Sequence, residues 1–150
     1  CIACHKGAML SDDMFHNIGV KDTSEGAPGV LAAGGALLDW AFNAQGPYSD
    51  RNNGTEAGRL QRLGNDLTAK AGELEGAFKT PTLRNVALTA PYMHTGDVAT
   101  LEEVIDLYDK GGEPAGSFAG VVSETITPLE LTDEEKQSLV KLLESMTGAH

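Results

Sequence analysis

The chain's only two cysteines stand at its start, in Cys1-Ile2-Ala3-Cys4-His5, and no other feature constrains it as tightly. A C-x-x-C-H run is the attachment pattern of a c-type haem. The spacing has a chemical basis: each thiol adds to one vinyl group, and the adjoining His5 turns its imidazole toward the iron as proximal ligand. A zinc ribbon needs a second ligand pair, and the sequence holds no further cysteine. A thioredoxin-like redox pair expects a preceding strand and a βαβ pattern, and neither is available. A plain disulfide or two unreactive thiols is the remaining alternative. The motif therefore predicts one covalent haem c, anchored by Cys1 and Cys4 and ligated by His5, and with it a periplasmic (extracytoplasmic) setting.

The bulk numbers narrow the partners. The 150 residues fit one domain, and 41% hydrophobic with 22% charged residues reads as globular. A formal net charge of −11 argues against nucleic acid or an anionic membrane surface as the main partner. The longest apolar stretch, Val30 to Phe42, is short and broken by Gly34, Gly35 and Asp39, so no transmembrane segment is expected. The sequence opens at Cys1 with neither an initiator Met nor a signal peptide, and a mature or truncated product is the expectation.

Two helices are well signalled. Thr100 and Glu103 form a capping box; Leu101, Val104, Ile105 and Tyr108 then share one face, and Lys110-Gly111-Gly112 ends the run. Thr132 and Glu135 repeat the box for a helix from Asp133 to about Met146. Its expected stripe is Leu139, Leu142, Leu143 and Met146. Thr55 to Leu63 reads as a shorter helix with Leu60 and Leu63 inward and Arg59 and Arg62 on a solvated face. Gly26, Pro28, Gly29, Gly34 and Gly35 suggest irregular backbone over residues 26 to 36. Leu37, Leu38, Trp40, Ala41 and Phe42 are expected to pack as core, with a partner-docking patch as the alternative. The fold class is mainly α, a cytochrome c-like domain with long loops.

A haem iron takes a second axial ligand or keeps that position open. Met93, His94 and Tyr108 are the candidates, and chemistry alone does not rank them. Met146 is more simply core. His16 is read as a hydrogen-bonding or surface histidine rather than a ligand.

Several motifs fall in order along the chain: Phe15-His16-Asn17-Ile18-Gly19, then Phe78 to Gly96, then Thr100-Leu101-Glu102-Glu103. Together they resemble the C-terminal haem domain of bacterial di-haem cytochrome c peroxidases and their MauG relatives. The resemblance covers residues 1–25 and 76–147 and leaves 26–75 as an insertion. It implies that the domain's distal ligand falls at Tyr108, where peroxidases carry Met and MauG-like members carry Tyr, with Met93 as the alternative. A phenolate favours ferric and higher oxidation states, which suits oxidative chemistry better than ordinary electron shuttling.

The same resemblance implies a calcium ion bound partly by the backbone carbonyls of Thr89 and Pro91. It also makes Arg84 and His94 contacts of the haem propionates or supports of its ligands, with loop hydrogen bonding as the alternative. An N-terminal haem domain that meets peroxide, absent from this chain, would precede Cys1. The family's connecting Trp lies there, so Trp40 does not take that role. The implied partners are that domain or another redox chain, and an electron-donor protein. The function so implied is a redox domain that relays or stores oxidising equivalents for peroxide-dependent chemistry. A mono-haem electron-transfer cytochrome, or a subunit of a larger redox assembly, is the alternative. The acidic surface would suit a basic partner.

Overall fold

The structure, a computed structural model, describes residues 1–21, 29–50 and 54–148. Among these, helices α1 (Val30–Asp39), α2 (Thr55–Ala69), α3 (Ala71–Leu74), α4 (Leu101–Lys110) and α5 (Asp133–Ser145) carry the fold. A short antiparallel pair, β1 (Phe15–His16) and β2 (Phe78–Lys79), sets Phe15 opposite Lys79 and His16 opposite Phe78. The fold is mainly helical, as the sequence leads one to expect.

Both capping boxes form. Thr100 accepts from the Glu103 amide while the Glu103 carboxylate accepts from the Thr100 amide, and Thr132 with Glu135 does the same for α5. Gly111 ends α4 in the left-handed region (φ 81°), a conformation that costs glycine no steric strain. The two helices pack on one another through Leu101, Ile105 and Val140. Val86, Tyr92, Leu139 and Leu143 close over that core. Val140 is the buried residue of α5, whereas Leu142 is half exposed, so the expected stripe is rotated toward Leu139, Val140 and Leu143.

Two other expectations fail for identifiable reasons. The glycine-rich stretch is helical from Val30 onward; its first residues, 26–28, lie outside the described residues. Gly34 is spent on packing: a Cβ there would lie 2.4 Å from Leu67 Cδ1 on α2. A mid-helix glycine costs about 1 kcal/mol against alanine, and here it lets the two helices approach. Trp40 and Phe42 are not core. They follow the end of α1 and are 56% and 64% exposed. Helix α2 runs past Leu63 to Ala69, burying Ala57, Leu60 and Leu67, while Arg59 pairs with Glu56 at 2.7 Å on the solvated face.

The long loops are held by side-chain amides and ions. Asn17 is 2% exposed, and its Nδ2 donates to the carbonyls of Glu75 (3.1 Å) and Ala119 (2.7 Å). Its Oδ1 accepts from the Gly19 amide at 2.9 Å, and its own carbonyl accepts from Ser123 at 2.8 Å. Gly76 and Gly120 permit this: a Cβ on either would strike the backbone of Ala119 or of Glu75. Near the C-terminal end of α4, Asp109 accepts from the Leu131 amide (2.8 Å) and from Lys136 (2.7 Å), which also reaches Asp106 at 2.9 Å. The ladder fastens the 129–131 loop and α5 to α4.

Replacing Asn17 by Leu leaves three strands of loop with unpaired buried groups, each worth roughly 1–3 kcal/mol. The urea midpoint should fall by the equivalent of about 3 kcal/mol or more with the slope unchanged; a change under about 0.5 kcal/mol would show that the clamp is dispensable. The Asp109 carboxyl is held below its ordinary range, first by the Leu131 amide and then by Lys136. Its contribution is therefore complete above the unfolded value of about 3.9 and is lost as pH falls through the lower folded value. Asp109→Asn should flatten the acid limb of the stability–pH curve, measured by thermal unfolding between about pH 5 and 2.

Candidate haem c site

The attachment motif forms one tight turn. The His5 and Cys4 amides both donate to the Cys1 carbonyl, at 2.9 and 3.2 Å, which gathers Cys1, Cys4 and His5 at the wall of one cavity. Both thiols are free, Cys1 exposed and Cys4 half-buried. The chain then curls through Gly7 and Leu10, both in the left-handed region, so that Leu10 O meets His5 Nδ1 at 3.1 Å. A carbonyl only accepts, so Nδ1 carries the proton and Nε2 keeps its lone pair for a metal. Burial pushes the imidazole's pKa down, the neutral form a ligand requires.

The segment after β2 straps this loop in place. Ser11 donates to the Thr80 carbonyl (2.8 Å), the buried Thr80 donates its amide to Met14 (2.9 Å), and Thr82 donates to Met9 (2.5 Å). Arg84 donates through Nε and Nη2 to the Ala8 carbonyl. The loop-bonding role expected of Arg84 is formed by these two bonds. His94 does line the cavity, with its ring stacked on Phe78 at 3.7 Å between centroids.

The cavity measures about 590 Å³, within the ordinary range for a bound cofactor. Its walls are chiefly apolar, among them Ile18, Val20, Leu83, Val104 and Leu143, and among the described residues no Asp or Glu lines it. Helix α4 presents Leu101, Val104, Ile105 and Tyr108 to this space, the face the periodicity assigned them. Burial, and secondarily the charge of the Cys4 thiolate, push the Tyr108 phenol up to about 12. Its proton leaves only if a strong positive charge replaces it. Met93, at φ 64°, shares the wall, as do Thr89 and Pro91. The residues fit a haem c: two thiols on one turn, a neutral imidazole beside them, an apolar slot, and a phenol, thioether and imidazole as further donors.

His16 pairs with Asp12 at 2.9 Å, the hydrogen-bonding role expected of it, and the pair holds the Asp12 carboxyl far below its usual range. Cys4, Asp12 and His16 lie together, their ligand atoms within 4.8 Å of one another. Sequence reasoning missed Asp12, Asn17, Thr80 and the Leu10 carbonyl. Only Asn17 left a trace, as an Asn two residues before a glycine, where its side chain can bond the backbone.

The chain is 34% identical over 148 residues to a cytochrome-c peroxidase of Denitromonas iodatirespirans, covering 99% of this chain and 36% of that protein. It is 32% identical over 146 residues to the methylamine utilization protein MauG of Methylorubrum extorquens, covering 97% and 30%. The crystal structure of a MauG-like protein associated with microbial copper homeostasis matches with a TM-score of 0.62 at 32% identity, over 99% of this chain and 42% of that one. This chain is a homologue of the cytochrome-c peroxidases and MauG. No family model matches it. The chain spans about a third of the length of these curated relatives. Kinship with cytochrome-c peroxidases and MauG implies haem c as the cofactor. Among the described residues no helix is long and apolar enough to cross a membrane.

Proposed function

We propose that this chain is the haem c redox domain of a periplasmic peroxidase or MauG-like oxidase, relaying or storing oxidising equivalents for peroxide-dependent chemistry. The observation that carries the reading is the meeting, in one apolar cavity, of Cys1, Cys4 and His5 with Tyr108 from the inward face of α4. A haem c bound there supplies the one-electron chemistry. The chain's part is to anchor it through two thioethers, to offer His5 Nε2 with its proton fixed on Nδ1, and to exclude water with aliphatic walls.

Tyr108 is the proposed distal ligand. A phenolate stabilises the oxidised iron and lowers its potential, so a His5/Tyr108 pair suits storage of oxidising equivalents rather than shuttling near physiological potentials. Peroxide itself would react at a haem in a preceding domain, and an electron-donor protein would reset the system. Calcium belongs to the same proposal: the Thr89 and Pro91 carbonyls would supply part of an oxygen shell, completed from another domain. The alternative is a plain electron-transfer cytochrome, which Met93 at the cavity wall keeps open.

The test is Tyr108→Met and Tyr108→Phe in the full-length, haem-loaded protein. Tyr108→Met should raise this haem's potential by a few tenths of a volt, within the roughly 0.8 V that axial ligands command. Tyr108→Phe should turn its ferric spectrum high-spin. Unchanged spectra in both variants, or a Met-to-iron charge-transfer band in the wild type that Met93→Leu abolishes, would hand the site to the electron-carrier reading.

A further inference from the structure

Beside the attachment turn stands a group of side chains richer than anchoring a haem requires. Cys4 Sγ, a carboxylate oxygen of Asp12 and a ring nitrogen of His16 all lie within 4.8 Å of one another. Cys4 and His16 line the cavity, and the Asp12 side chain is only 8% exposed. A thiol, a basic ring and a buried carboxylate gathered at one point are the parts of an activated nucleophile.

The carboxylate is firmly held. Its Oδ2 accepts from His16 Nε2 at 2.9 Å and its Oδ1 from the Met14 amide at 3.0 Å, and the buried Thr80 side chain adds a further bond. These donors keep Asp12 ionised, and an ionised carboxylate only accepts. The ring proton therefore sits on Nε2 and the lone pair on Nδ1, the tautomer a base needs, with the carboxylate as its orienting third member. The pairing of β1 with β2 sets His16 opposite Phe78 and fixes the backbone that carries the ring. His5 is not free for the same task, because its Nδ1 proton goes to Leu10 O and its Nε2 is kept for the iron.

We propose that Cys4, His16 and Asp12 promote the chain's own thioether formation at Cys4, with the vinyl group of a ferrous haem as substrate. The inference rests on the haem c reading and deepens it. His16 takes the proton as the S–H bond breaks, and the sulfur's electron pair forms the S–C bond to the inner vinyl carbon. The former π pair takes the proton back from His16 at the outer carbon. His16 ends neutral, and no electron is gained or lost. His16 meets a reacting atom and is the catalytic residue; Asp12 acts through it and is a positioning residue. Among the described residues Cys1 is no member of the group, so its own thioether should form without His16.

The test uses the full-length chain, produced haem-free in a host without a c-type maturation system and mixed, thiols reduced, with ferrous protohaem under anaerobic conditions. Samples taken over time are denatured and their free thiols capped with iodoacetamide. Fragmentation of the peptide spanning Cys1 to Lys6 then shows which sulfur carries the haem. His16→Gln keeps a donor for Asp12 but offers no base. It should slow attachment at Cys4 by roughly tenfold or more while leaving the rate at Cys1 nearly unchanged. Asp12→Asn should slow the Cys4 step less, again sparing Cys1. Both variants should show the wild-type absorption spectrum of haem bound before attachment.

The Cys1 rate is the internal control, because loss of the fold slows both sulfurs. Equal slowing at the two sulfurs would reduce His16 to a structural role and overturn the proposal. Cys4 rates unaltered in both variants, or no attachment in the wild type, would do the same. The haem reading is judged apart, on protein made with an active maturation system. Haem on both sulfurs there, with unaltered rates here, sinks this inference alone; two free thiols there would remove the haem reading itself.

Discussion

One buried amide organises the loops on which the site depends. Asn17 ties its own segment to the backbone at Glu75 and Ala119, and its carbonyl holds Ser123. These are stretches with little regular structure of their own, and burying their polar groups is tolerable only when each finds a partner. The neighbours of Asn17 continue into the site: His16 pairs with β2 and with Asp12, while Ile18 and Val20 line the cavity. A helical core of Leu101, Ile105 and Val140 fixes one wall, and the Asn17 clamp positions another.

The legible parts of this fold were those governed by contacts near in sequence. Each capping box is a signal spanning four residues, and the i, i+3, i+4, i+7 pattern sets the direction of Tyr108 without knowledge of what it faces. The attachment motif is likewise local. The clamp was not legible because its acceptors are backbone carbonyls 58 and 102 residues away, and any residue type supplies those. Helix α1 is hidden from the sequence for a related reason. Gly34 and Gly35 carry a local signal for irregular backbone, and what overrides it at Gly34 is Leu67, on another helix. Composition assigns the aromatic cluster after α1 to the core, because nothing in the sequence marks where that helix turns its apolar residues outward.

The cavity joins chemistry to this architecture. Its apolar wall and neutral His5 suit a macrocycle whose charges lie at its edge and centre, and Tyr108 adds a donor whose proton is strongly held until a cation competes for it. Over about a third of the length of its curated relatives, the chain gathers Cys1, Cys4 and His5 at the wall of one apolar cavity.

The central claim is that Cys1 and Cys4 are haem thioether anchors. The most direct measurement is mass spectrometry of the peptide spanning Cys1 to Lys6, released from denatured protein produced with an active c-type maturation system. The account predicts a peptide heavier by one haem, held through both sulfurs and resistant to acid–acetone extraction. The same peptide recovered with two free thiols, or with Cys1 and Cys4 joined to each other, would contradict it.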